Sequence, residues 1–155
     1  MSKEEKMQSI KLRLFEFCQA YVAEKIASAT GAMEKAQKEA NLETKSSAGD
    51  KYETGRSMMQ LEKEKYALHL QEALRLKEYL ASIDLSHECE QVEEGAVVET
   101  DHGNFFFSIA AGNFFYKKEY ICISIASPIG RALESAEEED VVVFRDKEIE
   151  IFSIQ

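Results

Sequence analysis

Apolar positions in the first third of the chain recur three and four residues apart. Met7, Ile10, Leu14, Phe17 and Tyr21 form one stripe, and Val22, Ile26, Ala29, Met33, Ala36 and Ala40 continue it on an adjoining line. That spacing predicts a helix with one apolar seam. Further on, Tyr52, Met59, Tyr66, Ala73 and Leu80 fall one heptad apart, with Leu70 and Leu76 between them, which predicts a second helix. Asn41 to Arg56, NLETKSSAGDKYETGR, is the polar interruption between the two and is expected to be a turn. Residues 1–84 are therefore expected to form a long antiparallel helical hairpin, a coiled coil with its tip at about 41–50. Arms of about 30–35 residues give a rod on the order of 45–50 Å long. The seam is supplemented by Phe15 and Cys18 on the first arm and by Leu68, Leu74, Ile83 and Leu85 on the second, so broader faces are expected to bury against a third body.

From Glu88 to Glu94 the pattern lapses into acidic residues, which predicts a linker. Beyond it the period changes to two. Ala96 to Thr100, Phe105 to Ala110, Asn113 to Tyr116 and Glu119 to Ala126 are predicted strands, the first two separated by a turn at Asp101-His102-Gly103-Asn104. Ser127-Pro128 predicts the start of a short helix, with Ser as N-cap and the only proline at the first helical position. Asp140 to Phe144 and Lys147 to Ile154 are predicted to pair across Arg145-Asp146. The class is α+β: a helical hairpin, then over residues 85–155 a mostly antiparallel sheet of five or six strands with one short helix.

Charge divides the chain. Residues 1–82 hold fourteen Lys/Arg against thirteen Asp/Glu, whereas residues 83–155 hold five against sixteen, within a net charge of -10. The acidic C-terminal part repels phosphate backbones, so contact with nucleic acid is expected only indirectly, and a basic protein patch suits it better. The longest apolar-rich run, Phe105 to Tyr116, is too short to span a bilayer, and no membrane partner is expected. Cys18, Cys89 and Cys122 are odd in number and widely spaced, which suggests neither a disulfide framework nor a zinc site and fits a reducing cytoplasm. His69, His87 and His102 stand on a helix, a linker and a turn with no nucleophile motif beside them, so the chain is not expected to be an enzyme. At the tip, Ser47, Asp50 and Glu53 have capping-box spacing; Glu43, Asp50 and Glu53 are the candidate functional acids, with capping as the alternative.

The tail from Ile123 to Ile154, ISIASPIGRALESAEEEDVVVFRDKEIEIFSI, resembles the C-terminal domain of the Gre transcript-cleavage and elongation factors of bacterial RNA polymerase, whose pattern is roughly I-S-x-x-S-P-x-G/A-x-A-L, a loop, G-D-x-V and a final strand. The order of a hairpin followed by an FKBP-like domain is also that family's. The resemblance implies a hairpin inserted in the polymerase secondary channel and a C-terminal domain docked on the polymerase through Ser127 and Pro128. It also implies tip acids that share a magnesium ion with the polymerase active site, no cofactor being bound by the chain alone. The tip departs from the family's G-D-L-S-E-N-A-E-Y: with its Tyr laid on Tyr52, Lys45 and Ala48 stand where the two working acids belong. Glu139 likewise replaces the glycine before Asp140, and Ala126 stands where members often carry Asp or Asn. The expectation is a cytoplasmic, monomeric, RNA polymerase-binding protein that modulates elongation with little cleavage stimulation. A helical-hairpin protein–protein adaptor is the alternative, and a peptidyl-prolyl isomerase a more distant one resting on fold analogy alone.

Overall fold

The computed structural model describes residues 2–45 and 49–155, and their side chains except those of residues 3, 4, 6–8, 43–45, 49–54 and 56. Two long helices come first, α1 (Lys3–Lys45) and α2 (Gly49–Ala81). Six strands follow, β1 (Val97–Thr100), β2 (Gly103–Phe107), β3 (Gly112–Tyr116), β4 (Lys118–Ile123), β5 (Val141–Phe144) and β6 (Lys147–Ile154), with the six-residue helix α3 (Pro128–Leu133) between β4 and β5. The chain divides into two compact units: Met1–Ala20 together with Tyr79–Gln155, and Tyr21–Glu78. No described helix is long and apolar enough to cross a membrane.

In the unit Tyr21–Glu78 the buried residues follow a three-four alternation. On α1, Val22, Ala29 and Ala36 are buried and Ile26, Met33 and Ala40 half-buried; on α2, Ala73 is buried and Tyr66, Leu70 and Leu76 half-buried. Alanines at buried positions bring little side-chain area, so the stripe is narrow. Lys63 Nζ on α2 donates to Gln37 Oε1 on α1 at 2.7 Å. The broad apolar face expected on the second helix is not buried across its width here, because Leu68 and Leu74 are exposed. Leucine is a strong helix former whether or not it is buried, so its abundance signalled helix and not burial. The polar stretch Asn41 to Arg56 is also more helical than expected. α1 continues to Lys45 and α2 is under way at Gly49, for Leu42, Glu43, Glu53 and Arg56 favour helix as much as the seam residues do.

The other unit is built on one sheet in the order β3-β4-β2-β1-β6-β5. All neighbours are antiparallel except β2 and β4, which run parallel with Phe105 opposite Ile121 and Phe107 opposite Ile123. Alternation along the strands gives two buried faces. One carries Val98, Phe105, Phe107, Ile149, Ile151 and Ile154, closed by Leu133 of α3. On the other stand Phe106 and its register partner Cys122. The first turns of α1 meet this sheet. Cys18 Sγ lies 3.5 Å from Ser108 Oγ, Phe17 sits 5.0 Å from Phe114 between ring centroids, and the Arg13 guanidinium lies 4.4 Å above the Tyr116 ring.

The acidic segment expected to be a linker is instead part of this core. Cys89 and Val92 are buried, Val92 N–H donates to Ala136 O at 2.9 Å, and Ser135 N–H donates to Val92 O at 2.9 Å. A single buried valine among four glutamates leaves no periodic trace in the sequence, although tertiary hydrogen bonds fix it on both sides.

Candidate functional site

Downstream of β4 the chain turns sharply into α3. Ser127 has extended backbone angles (φ -63, ψ 160), and its Oγ accepts the Gly130 N–H at 3.1 Å. Pro128 fills the first helical position, where its missing N–H leaves no bond unmade. The preceding residues are tied to the same corner: Ser127 N–H donates to Ser124 O at 3.0 Å, and Ala126 N–H donates to Ser124 Oγ at 3.1 Å. Arg131 Nε then reaches back to Ala126 O at 3.0 Å. Gly130 is buried against the Ile125 carbonyl, so that a Cβ would stand 2.7 Å from both Ile125 C and Ser124 O. The result is a rigid corner presenting Ala126, Pro128 and Arg131 to solvent. It carries no nucleophile or general base; it can present a shape and one cation. Arg131 was not singled out by the sequence reading, although a basic residue closing a short helix is a recognisable signal.

Ser127→Ala is expected to lower stability by about 1 kcal/mol, through loss of one cap bond. Chemical denaturation measures it, with Ser127→Asp expected to retain most of the stability.

The three candidate acids lie elsewhere. Glu43 is in the last turn of α1, and Asp50 and Glu53 are at the start of α2. Their side chains, and Ser47 with its capping reading, lie outside the described residues.

A second polar cluster was not anticipated. Lys11, only 4% exposed, directs Nζ to His87 O at 3.2 Å, Gln155 O at 3.4 Å and Cys89 Sγ at 3.8 Å. His87 Nε2 and Glu93 Oε1 are 2.6 Å apart. Burial pushes the Cys89 thiol up to about 11, outweighing the attraction of the Lys11 ammonium. Burial also pushes Glu93 upward, yet hydrogen bonds from Cys89, His87 and Gln91 hold its carboxyl below the usual range. Ligand atoms of His87, Cys89 and Glu93 lie within 4.8 Å of one another. The donor set nonetheless suits a cation poorly. The sulfur is a thiol with a raised pKa, an ammonium stands beside it, and His87 and Glu93 already satisfy each other. The cluster is better read as a brace between α1 and the segment after α2. The sequence carries no signal for it, because a lysine beside an apolar seam reads as solvated surface.

The remaining cysteines face each other. Cys18 is lowered by a hydrogen bond from Cys122, against the opposing effect of burial, while Cys122 is raised by that same interaction and by burial.

Compared with protein-family models, curated proteins and solved structures, the chain matches none of the three.

Proposed function

We propose that the chain binds RNA polymerase as a secondary-channel regulator of the Gre type, without strong stimulation of transcript cleavage. The observation that carries the proposal is the Ser127-Pro128-Gly130 corner. Serine caps the helix, proline opens it and glycine admits the Ile125 carbonyl, so the three residues that match the S-P-x-G/A pattern each have a geometric task in presenting this loop. On this reading Ser127 and Pro128 set the docking surface.

The finer architecture belongs to the same proposal. One cavity of Tyr21–Glu78 is lined by Lys25 and Ala29 of α1 with Tyr66 and Ala73 of α2, and a second by Gln37 and Ala40 with Met59 and Lys63. Numbers rise along α1 as they fall along α2, which supports an antiparallel hairpin. The hairpin would occupy the channel, and the C-terminal domain would take the FKBP-like role of docking. At the tip, Lys45 stands where the family has a working acid, and a lysine opposes a magnesium ion where a carboxylate would hold it. Any magnesium would be held by the polymerase and shared with Asp50, Glu53 or Glu43.

Co-migration with purified core RNA polymerase tests the proposal. The wild type is expected to co-migrate, and Pro128→Ala to weaken the association severalfold without unfolding the protein. No association of the wild type would sink the reading and favour the adaptor, for which the exposed Leu61 and Leu68 of α2 are the supporting observation. Robust wild-type cleavage in stalled complexes, abolished by Asp50→Asn with Glu53→Gln, would overturn the assignment of a modulator.

A further inference from the structure

Cys18 of α1 and Cys122 of β4 come together on the second buried face of the sheet, where the first turns of α1 meet it. Phe106 and Cys122 are register partners in the parallel ladder of β2 and β4, and Ser108 N–H extends that ladder by donating to Ile123 O at 2.9 Å. Side chains two residues apart on a strand share a face, so Ser108 stands with Phe106 on the side that carries Cys122. Cys18 Sγ lies 3.5 Å from Ser108 Oγ and shares a hydrogen bond with the Cys122 thiol. All three residues are buried, and every cysteine of the chain is free. Two reduced thiols therefore face each other between a helix and the sheet, in a place that water does not reach.

The two sulfurs are not equivalent. A hydrogen bond from Cys122 holds the Cys18 thiol below the ordinary range, with burial opposing and Ser108 assisting. The same interaction, together with burial, pushes Cys122 up, so that it keeps its proton. One sulfur is disposed to be the thiolate and the other to remain a thiol, which is the division needed between a nucleophile and the cysteine that resolves it. Cys89 has other partners, the Lys11 ammonium and the His87 carbonyl, and burial pushes its thiol up to about 11. It serves as the internal comparison.

We propose that Cys18 and Cys122 form an oxidisable pair, closed by hydrogen peroxide to an intramolecular disulfide between α1 and β4 and reopened by a thiol reductant. Sulfurs this buried exclude bulky and charged oxidants, which leaves a small neutral peroxide as the co-reactant. In the first step Cys18 loses its proton and its sulfur attacks one peroxide oxygen. The O–O bond breaks, the departing hydroxide takes the proton as water, and Cys18 becomes a sulfenic acid. In the second step the Cys122 sulfur attacks the Cys18 sulfur, the S–O bond breaks, and hydroxide leaves with the Cys122 proton as a second water. Two electrons pass from the thiols to the peroxide, and no other reactant is needed. With Cys122 at hand, the sulfenic acid is consumed before it can be oxidised further to the irreversible sulfinic acid. A dithiol reverses the closure by exchange, itself becoming the disulfide. Both cysteines belong to the unit that contains the sheet, and the pair does not rest on the polymerase reading.

The whole chain, first reduced and then exposed to hydrogen peroxide while folded, provides the test. Its mass is expected to fall by two hydrogens, and peptide mapping after alkylation to show Cys18 joined to Cys122 with Cys89 alkylated. Dithiothreitol should restore the starting mass. The closed loop should raise the melting temperature by roughly 10 °C. In Cys122→Ser the sulfenic acid has no resolving thiol, so dimedone should label Cys18. Cys18→Ser should consume peroxide about tenfold more slowly, with no label on Cys122. Cys89→Ser should close the same disulfide as the wild type. A treated wild type that keeps its circular dichroism spectrum and all of its free thiols overturns the proposal. So does a link that includes Cys89, or a dimedone label on Cys122 in place of Cys18. The wild-type map decides the matter by itself should a serine variant fail to fold.

Discussion

Gly130→Ala is expected to lower the stability of the unit that contains the sheet by roughly 3 kcal/mol or more, several times the effect of removing the Ser127 cap. The added methyl would stand 2.7 Å from Ile125 C and from Ser124 O and closer still to Ile125 O. All of these are backbone atoms, so no side-chain rotation relieves the overlap. The backbone itself must move, and Gly130 is bound at both ends, its N–H to Ser127 Oγ and its carbonyl to Glu134 N–H at 2.9 Å. A shift large enough to admit a Cβ breaks at least one of these bonds and lifts Leu133, which is fully buried in the core. Denaturant midpoints of wild type, Gly130→Ala and Ser127→Ala, measured together, give the ordering. An alanine variant within about 1 kcal/mol of wild type would mean that the corner is softer than its hydrogen bonds imply.

Phe107→Ala should cost more, about 3–5 kcal/mol, which is most of the stability of a unit at the lower end of the ordinary range. Phe107 is fully buried, its ring lies 5.8 Å from that of Phe105, and its N–H donates to Ala96 O at 3.0 Å. Removing the ring opens a cavity on the face of the sheet, in the cluster that Phe107 shares with Phe105, Leu133 and Ile151, and the strands cannot close it because their register is fixed by the ladder. Phe115→Ala is the internal comparison. At 74% exposure its replacement should change stability by no more than about 0.5 kcal/mol. Thermal or denaturant unfolding followed by far-ultraviolet circular dichroism distinguishes the two.

That contrast marks the limit of what the sequence disclosed. Gly103-Asn104-Phe105-Phe106 and Gly112-Asn113-Phe114-Phe115 read alike, and both do enter strands. Their fates differ because β2 is central and β3 is an edge, and no local pattern says which strand will be which. Strand positions were legible from alternation, and the α3 start from the serine and proline that define it. The parallel pairing of β2 with β4 was not legible, since it depends on β3 folding outward to the edge. Nor was the burial of Val92 and Cys89, whose neighbours in sequence are acids. Lys11 was hidden for a similar reason. Its charge marks it as surface in any pattern, and only the carbonyls of His87 and Gln155, distant in sequence, make its burial tolerable. At the α1–α2 junction the polar pattern hid helix on both sides, since α1 runs on to Lys45 and α2 is under way at Gly49, and the roles of Glu43, Asp50 and Glu53 rest on side chains outside the described residues.

The assignment of the first turns of α1 to the same compact unit as the sheet carries a consequence for synthesis on the ribosome. Cys18 meets Ser108, 90 residues later in the chain, and Lys11 meets Gln155, 144 residues later. At about 5–20 residues per second, Leu14, Phe17 and Cys18 emerge and then wait roughly 5–18 s before the strands that cover them exist. During that interval the nascent helix shows water its most apolar side, which makes it a ready client for a chaperone. Slowing translation over residues 90–125 should therefore lower the soluble yield more than slowing it over residues 25–60, when the next residues to appear only extend α1 and begin α2.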